Sequence, residues 1–392
     1  MSSRQHVAVV GAGLVGASAA LGLARLGYSV TLVERHAPTV SAGRFGIDLR
    51  NVALTPASQH FLSTLGAWQD ERLCAYHSMQ VWEQWGSGHL HFSAAEAGVT
   101  KLGWVVESSP LAMRLWQACA AHAQIEVVLG EISAVQPEQD KVDIRLADAT
   151  LQVDLLLAAD GAHSTVRNLL QVAVQESPVG QVALATVVQH EQPHQQTARQ
   201  RFLVDGPLAL LPSRCDTVSS VVWSQSPQAA KQRQQLSEVD FCQEISHCLE
   251  HTVGRVTEVD QRIVFPLTQQ RAATMYPHDR VLLLGDAMRV IHPLAGMGVN
   301  LGFEDVAQLL QIARGQSNLA AAGLWRRYAR HRETRASAMM ATMAGFKTLF
   351  GVDLPGAGLV RKVGMTALQG LPALKRQVIR EAMGLGTLSA PN

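Results

Sequence analysis

The stretch from His6 to Glu34 constrains this chain more than any other. His6 to Val10 is apolar, β-prone and too short for a helix, so it predicts a buried strand. Gly11-Ala12-Gly13-Leu14-Val15-Gly16 follows, then an apolar-periodic helix to about Leu26 and a second strand, Ser29 to Val33, that runs into Glu34. Strand, glycine turn, helix, strand and acid at this spacing describe a dinucleotide-binding βαβ unit, which commits the chain to a parallel sheet. Gly11 makes the tight turn, Gly13 lets the backbone approach a pyrophosphate, and Gly16 lets helix and strand pack closely. Leu14 and Val15 open the helix whose free N–H groups meet that phosphate, while Glu34, with Arg35 beside it, meets an adenosine ribose. An acid at this position fits FAD or NAD and disfavours a 2′-phosphate.

Two later stretches repeat the logic. Leu151 to Ala158 is largely apolar, as expected of a central strand, and leads into Asp160-Gly161-Ala162-His163-Ser164-Thr165-Val166-Arg167. Val281 to Leu284 predicts a buried parallel strand that stops at Gly285 and is followed by Asp286. A carboxylate just past such a strand sits where open α/β sheets bind ligands, and it can accept hydrogen bonds from ligand hydroxyls. Pro293 then breaks regular structure, Gly296 and Gly298 permit unusual backbone, and Asn300 is expected to cap a helix from about Leu301 to Ala313. The start of that helix offers free N–H groups and a positive dipole end, which suits a ligand carrying hydroxyls and developing negative charge, as a reduced flavin does. Corners at Gly11, Asp160 and Asp286 are expected to converge on one extended ligand. The alternative for Asp160 and Arg167 is that they cap a helix and pair locally. Arg50 and Arg114 each have two readings, phosphate partner or solvated charge.

The remaining chain reads as an insertion and a tail. From Met79 to Val106 the pattern is β-like and aromatic, with Trp82, Trp85, Phe92 and Trp104 as pocket lining or as a packed sheet face. Val182 to Phe265 alternates in short turn-bounded runs, an antiparallel sheet interrupted by a helix from Glu238 to His251. His190 and His194 have no carboxylates or cysteines around them, so no metal site is expected. The five cysteines are scattered without a CxxC pair and read as reduced thiols of a cytosolic protein. A net charge of +1 argues against nucleic acid as a partner. No charge-free apolar run approaches the ~18 residues of a membrane span, and the N-terminus lacks the pattern of a signal peptide. Leu319 to Arg335 predicts a helix whose part WRRYARHRETR is strongly basic. The stretch from Ser337 to Leu385 is apolar, methionine-rich and dotted with Lys and Arg, and Pro355 and Pro372 divide it into about three helical pieces. These either lie on an anionic membrane or apolar partner, or pack on the core.

GAGLVG with Glu34, ADGAHSTVR at 159–167 and LLLGDAMRVIHPLAGMGVNLG at 282–302 resemble, in order and spacing, the three fingerprints of the single-component FAD aromatic hydroxylases of the p-hydroxybenzoate hydroxylase fold. GIDLRNVAL, GPLALLP at 206–212, SVVW at 220–223, FPL at 265–267 and LPALKRQVIREAMGL look like the branch that hydroxylates polyprenylated phenols in ubiquinone biosynthesis. The resemblance implies an α/β fold in three parts. A Rossmann-like FAD-binding domain takes residues 1–78, 100–175 and 275–335. An inserted antiparallel β-sheet substrate domain takes 79–99 and 176–274, and a helical C-terminal region, a candidate membrane or partner contact, takes 336–392. It implies FAD with its pyrophosphate at Gly11 to Gly16 and adenosine at Glu34, Asp286 on the ribityl chain, Asp160 serving flavin and pyridine nucleotide, and Arg50 and Arg114 near the cofactor. It further implies NADH or NADPH as donor, O2 taken up as a flavin C4a-hydroperoxide, N–H groups near Gly298, Val299 and Asn300 stabilising the reduced flavin, and a loop around Pro293 sheltering the peroxide. The implied localisation is cytoplasmic, peripheral to the inner face of the membrane, among other ubiquinone-biosynthesis proteins. The chain departs from the family's GDAAH at Met288 and Arg289 and from its GQG at Met297. Arg289 is expected to pair with a cofactor phosphate or to reach solvent. These departures motivate an alternative, a non-catalytic structural subunit of a quinone-biosynthesis complex; a reductase or halogenase is the third reading, and the halogenase WxWxIP signature is absent.

Overall fold

The computed structural model describes residues 5–69, 71–84, 89–291 and 298–351, and a five-stranded parallel sheet lies at its centre. Across it run Val281–Leu283, Leu155–Ala158, His6–Val10, Ser29–Glu34 and Ile125–Leu129. Its middle strands are continuous apolar runs because both faces are covered, helices such as Leu14–Arg25 and Val142, Ile144 and Val153 of a small antiparallel sheet sharing one core with it, and Leu155, Leu156, Leu157 and Ala158 are fully buried. Register then decides where the loops fall. Val10 stands opposite Ala158 and Ala158 opposite Leu283, so three strands end at one edge. With neighbouring strands about 4.8 Å apart, Gly11, Asp160 and Asp286 leave the sheet within roughly 10 Å of one another across its width. The stretch expected as one strand from Leu151 to Ala158 divides at Asp154. That carboxylate accepts from the His6 N–H at 2.8 Å and pairs with Lys141 at 2.8 Å, so Thr150–Val153 joins a separate antiparallel sheet.

Small residues let helices approach this sheet. A Cβ on Gly16 would lie 1.8 Å from the Gly11 carbonyl oxygen, and one on Gly302 would lie 2.5 Å from Val15 Cγ2. Val15 therefore seats the helix Leu14–Arg25 against the helix Gly298–Ala313.

The second large sheet is built in the order Arg289–Val290, Ile263–Ala272, Val174–His190, Val218–Gln225, Gly206–Pro212, Thr197–Leu203, Ser78–Glu83 and His89–Ser93. It is antiparallel except where Thr197–Leu203 runs parallel to Ser78–Glu83. Leu184, Leu208, Leu210, Val221 and Trp223 pack on Phe241 and Ile245 of the helix Glu238–Cys248 and on Leu249, which caps it. A further helix, Pro227–Gln235, was not anticipated, although Ser226 at its cap and Pro227 in its first turn are the usual start signals. Because side chains alternate along a strand, Ala183, Ala185, Ala209, Ser220 and Val222 occupy the opposite face. That face turns toward the nucleotide unit: Asn51 Nδ2 donates to Ser220 Oγ at 2.7 Å, and Ile47 packs with Val187 and Val218. Of the aromatic residues singled out above, Trp104 lies edge-on to Trp68 at 5.4 Å and Phe92 packs with Val81 and Leu90 in sheet contacts, whereas Trp85 lies outside the described residues.

The C-terminal helix begins at Arg326, later than the expected Leu319, and runs without a break past Ser337 to Gly351. Pro355 and Pro372 lie outside the described residues. Its basic stretch is two-sided, with Arg326, Arg327 and Arg330 exposed and Arg332 and Arg335 buried. Trp325, Arg332 and Ala336 fall on one side at helical spacing and are buried, and Arg332 pairs with Asp305 and Glu304. Among the described residues no helix is long and apolar enough to cross a membrane.

His190 and His194, the pair weighed as metal ligands, are 2% and 1% exposed and spend their ring nitrogens on the protein. His190 contacts the Gln192 carbonyl at 2.7 Å and Ser219 Oγ at 2.9 Å, and His194 contacts the Ser213 carbonyl at 3.0 Å. Burial lowers the His190 pKa to about 4, against the opposing bond from the Gln192 backbone. The folded state thus holds a neutral ring that the unfolded state would protonate below about pH 6.5. Stability from this group is present above that pH and is lost as pH falls toward 4, with about 3 kcal/mol at stake. Chemical denaturation at pH 7 and 5 should show a loss in the wild type that shrinks in His190→Gln. Separately, Gly16→Ala should cost about 1–3 kcal/mol because backbone blocks the new methyl, while Gly13→Ala, where no heavy atom lies within 4 Å, should leave urea unfolding nearly unchanged.

Candidate active site

At the first corner, Gly11 adopts φ +99°, and a Cβ there would lie 2.4 Å from the Ala159 carbonyl oxygen, so glycine is required twice over. Gly13 caps the following helix without a side chain, and no acid stands in its first turn. The first-turn amides, including those of Leu14, Val15 and Gly16, therefore present an uncapped positive dipole end. Glu34 straps the turn: Oε2 accepts from Ala12 N–H at 2.6 Å and Oε1 from Arg35 N–H at 2.8 Å. A carboxylate has about four acceptor positions, so a ligand hydroxyl can still be accommodated. The Arg35 guanidinium reaches Thr165 Oγ1 at 3.1 Å and links this corner to the next.

At the second corner, both readings of Asp160 and Arg167 are partly realised. Asp160 Oδ2 accepts from Val166 N–H at 3.1 Å, which is helix capping, while its buried Oδ1 has no partner among the described residues. Arg167, 4% exposed, bonds locally to the Ala162 carbonyl at 2.7 Å but also donates to the Ala287 carbonyl at 3.0 Å. It therefore bridges to the third corner.

There Gly285 takes φ +57° and opens a tight turn, Gly285–Ala287. Asp286 lies in a recess that solvent reaches, with protein on most sides. Burial raises its carboxyl pKa, Arg289 opposes that rise, and Asp305 adds to it. The following helix starts at Gly298, so Gly298, Val299 and Asn300 all lie in its first turn, and Asn300 is not the cap expected from sequence. It is instead a buried clamp, 1% exposed. Its Oδ1 accepts from Thr55 N–H at 3.0 Å and Ser58 Oγ at 2.7 Å, and its Nδ2 donates to the Ala53 carbonyl at 2.8 Å. Pro293 and Met297 lie outside the described residues.

Arg289 also departs from expectation. It is 3% exposed and so does not reach solvent. Its fork closes on both oxygens of Asp305, at 2.8 and 3.1 Å, and the pair is buried. Arg332 Nε donates to Asp305 Oδ1 at 2.6 Å, and Gly285 N–H donates to Oδ2 at 3.2 Å. Despite the cost of burial, these cations and donated bonds hold the Asp305 carboxyl below the usual carboxylate range.

Arg50 and Arg114 are not drawn into these corners by any contact among the described residues. Arg50 is exposed, and Arg114 makes only a long bond, 3.4 Å, to the Ala67 carbonyl. Sequence reasoning missed the acid beside Arg50. Asp48, 1% exposed, accepts from Ser41 Oγ at 2.8 Å and from the N–H groups of Ser109 at 2.8 Å and Arg50 at 3.0 Å. Burial pushes this carboxyl upward, but the donated bonds outweigh it and leave it below the usual range. Its turn is held by Glu107, whose Oε2 accepts from Asp48 N–H at 3.0 Å and whose Oε1 pairs at 3.2 Å with Arg214, in the turn between the strands Gly206–Pro212 and Val218–Gln225. An Asp two residues before an Arg in a GIDLRN turn was the available signal.

The three corners thus offer an uncapped helix start, a spacious Gly13, an acid for a ribose and two further carboxylates, all at one sheet edge. This donor and acceptor set fits an extended dinucleotide such as FAD. The large sheet presents alanines, Val222 and Ser220 on the face turned toward this unit.

Comparison with known proteins agrees. A family model described as FAD binding domain matches residues 4–343. A 3-demethoxyubiquinol 3-hydroxylase of Escherichia coli is 34% identical over 389 residues, covering 97% of this chain and 98% of its own. Ubiquinone hydroxylase UbiL of Rhodospirillum rubrum is 31% identical, covering 96% of this chain and 89% of its own. The human mitochondrial ubiquinone biosynthesis monooxygenase COQ6 is 29% identical, over 95% of this chain and 91% of its own. Among solved structures, p-nitrophenol 4-monooxygenase PnpA of Pseudomonas putida shares the fold with a TM-score of 0.76 at 17% identity, covering 98% of both chains. Klebsiella pneumoniae HpxO, solved with FAD and uric acid, does so with a TM-score of 0.76 at 17% identity over 99% of both chains.

Proposed function

The chain belongs to the FAD binding domain family of flavin-dependent aromatic monooxygenases, and from that membership we propose that it hydroxylates the ring of a polyprenylated phenol or quinol in ubiquinone biosynthesis, using O2 and NADH or NADPH. The observation that carries this reading is the joint exit of Gly11, Asp160 and Asp286 from one sheet edge, in a chain whose full-length relatives are ubiquinone-pathway hydroxylases. When bound, FAD supplies the redox chemistry, accepting reducing equivalents from the nicotinamide donor and activating oxygen.

The chain's own share is binding, orientation and exclusion of water. The amides of Gly13, Leu14, Val15 and Gly16 hold the pyrophosphate, and Glu34 with Arg35 holds the adenosine ribose. Asp286 accepts from the ribityl hydroxyls, Asp160 serves flavin and donor, and Arg50 and Arg114 reach phosphate from the rim. The first-turn amides at Gly298, Val299 and Asn300 stabilise negative charge on the reduced ring, and the segment around Pro293 keeps water out. The apolar patch of Ala183, Ala185, Ala209 and Val222 fits an aromatic substrate and these four side chains carry no titratable group, so ring orientation rather than proton transfer is their contribution. On this reading residues 1–78, 100–175 and 275–335 form the FAD domain, 79–99 and 176–274 the substrate domain, and 336–392 the contact with a membrane surface or other pathway proteins, at the cytoplasmic face. The structural-subunit alternative rests on the departures at Met288, Arg289 and Met297; the pairing of Arg289 with Asp305 weakens that ground, and Met297 lies outside the described residues.

Incubation with a short-chain prenylphenol, NADH or NADPH, and isotopically labelled O2 should place one labelled oxygen in the product. Unlabelled product, or none from flavin-loaded protein, overturns the reading. Asp286→Ala should weaken FAD binding by about ten- to a hundredfold, the loss expected when a charged acceptor is removed from ligand hydroxyls.

A further inference from the structure

Two of the three residues at which the third fingerprint departs from its family, Met288 and Arg289, form a single unit with Asp305. Arg289 Nη1 lies 3.1 Å from Met288 Sδ and 2.8 Å from Asp305 Oδ2, while Nη2 lies 3.1 Å from Asp305 Oδ1. Arg332 Nε takes the other position on Oδ1 at 2.6 Å, and the Gly285 amide takes Oδ2 at 3.2 Å. A carboxylate offers about four lone-pair positions, so these four N–H groups saturate it. Both ends of the turn that carries Asp286 are therefore fastened to one anion. Gly285, just before Asp286, is held by its backbone, and Arg289, three residues after it, by its side chain. The anion itself sits on the helix Gly298–Ala313, whose first turn is the other cofactor-facing element of this corner. Arg289 and Val290 also pair with Arg271 and Gln270 at the edge of the large sheet, so the turn cannot shift without breaking that ladder.

We infer that Arg289 is a positioning residue for the cofactor: its fork on Asp305 fixes the distance between the Asp286 carboxylate and the start of the helix Gly298–Ala313. This rests on the proposed reading that Asp286 binds the flavin. The geometry requires a planar, two-pronged cation, since a lysine ammonium at this position keeps the charge but is a single point of contact and cannot bridge both oxygens. The substitution is therefore not a degenerate fingerprint but a different way of locking the same turn.

The test is a double-variant cycle on the full-length protein, read as the equilibrium constant for FAD binding from quenching of flavin fluorescence. Arg289→Lys should weaken FAD binding by about tenfold or more, while the unfolding midpoint of the ligand-free protein stays within about 4 °C of wild type. Asp305→Asn, which keeps side-chain size and breaks the same clasp from the other side, should give the same direction of change. Because Arg289 acts through Asp286, the variant carrying both Arg289→Lys and Asp286→Ala should bind no more weakly than Asp286→Ala alone. A merely structural role would make the two losses multiply, and that result overturns the inference, as does wild-type affinity in Arg289→Lys. A wild type that itself binds no FAD would overturn the functional reading and this inference together. A wild type that binds, with an unaffected Arg289→Lys, would overturn this inference alone.

Discussion

Three parallel strands that end in register are what the rest of the site depends on. Ala159 N–H donates to the Val10 carbonyl and Leu284 N–H to the Ala158 carbonyl, each at 2.8 Å, so the ladder continues one residue past each strand before the loops diverge. A slip of one residue in either pairing would move a loop along the strand axis by about 3.3 Å and turn its side chains to the other face. The close approach of Gly11 to Ala159, and of Val15 to Gly285 and Gly302, leaves no room for such a slip. Sequence positions more than a hundred residues apart are thereby fixed to one edge by backbone hydrogen bonds and glycine contacts, before any ligand is considered.

Charge is managed differently on the two sides of that edge. Toward the ligand, the helix start at Gly13 is left uncapped and Asp286 is accessible, so polar groups remain for a dinucleotide to satisfy. Behind it, Asp305 is completely buried and neutralised by Arg289 and Arg332. Burying such ions is costly, and an apolar core of the same shape is often as stable. The gain is geometric. Arginine forks bind in a fixed plane, so the clasp defines an orientation that packed leucines would leave looser. Arg167 works in the same way on the other flank, holding the Ala287 carbonyl from the second corner.

Much of this was legible in the sequence, and for physical reasons. The βαβ unit, the apolar strands before Asp160 and Gly285, and the alternation of the large sheet are local patterns tied to backbone geometry. The errors arose where partners are remote in sequence. Asn300 looks like a helix cap in its own neighbourhood, yet its amide is used by Ala53, Thr55 and Ser58, about 245 residues away. Arg289 and Arg332 show no partner in their own stretches of sequence until Asp305 is brought between them. Asp48 and Glu107 looked unremarkable because their roles come from one another and from Arg214 across the sheet. Helix boundaries moved for a simpler reason: Gly298 can begin a helix as readily as Asn300 can cap one.

The central claim is that this sheet edge is a flavin site. The most direct measurement is the visible absorption spectrum of the purified wild-type protein during titration with FAD. The account predicts saturable binding of one flavin per chain, with a shifted and better resolved band as the ring leaves water. A folded protein that leaves the FAD spectrum unchanged across the titration would contradict it.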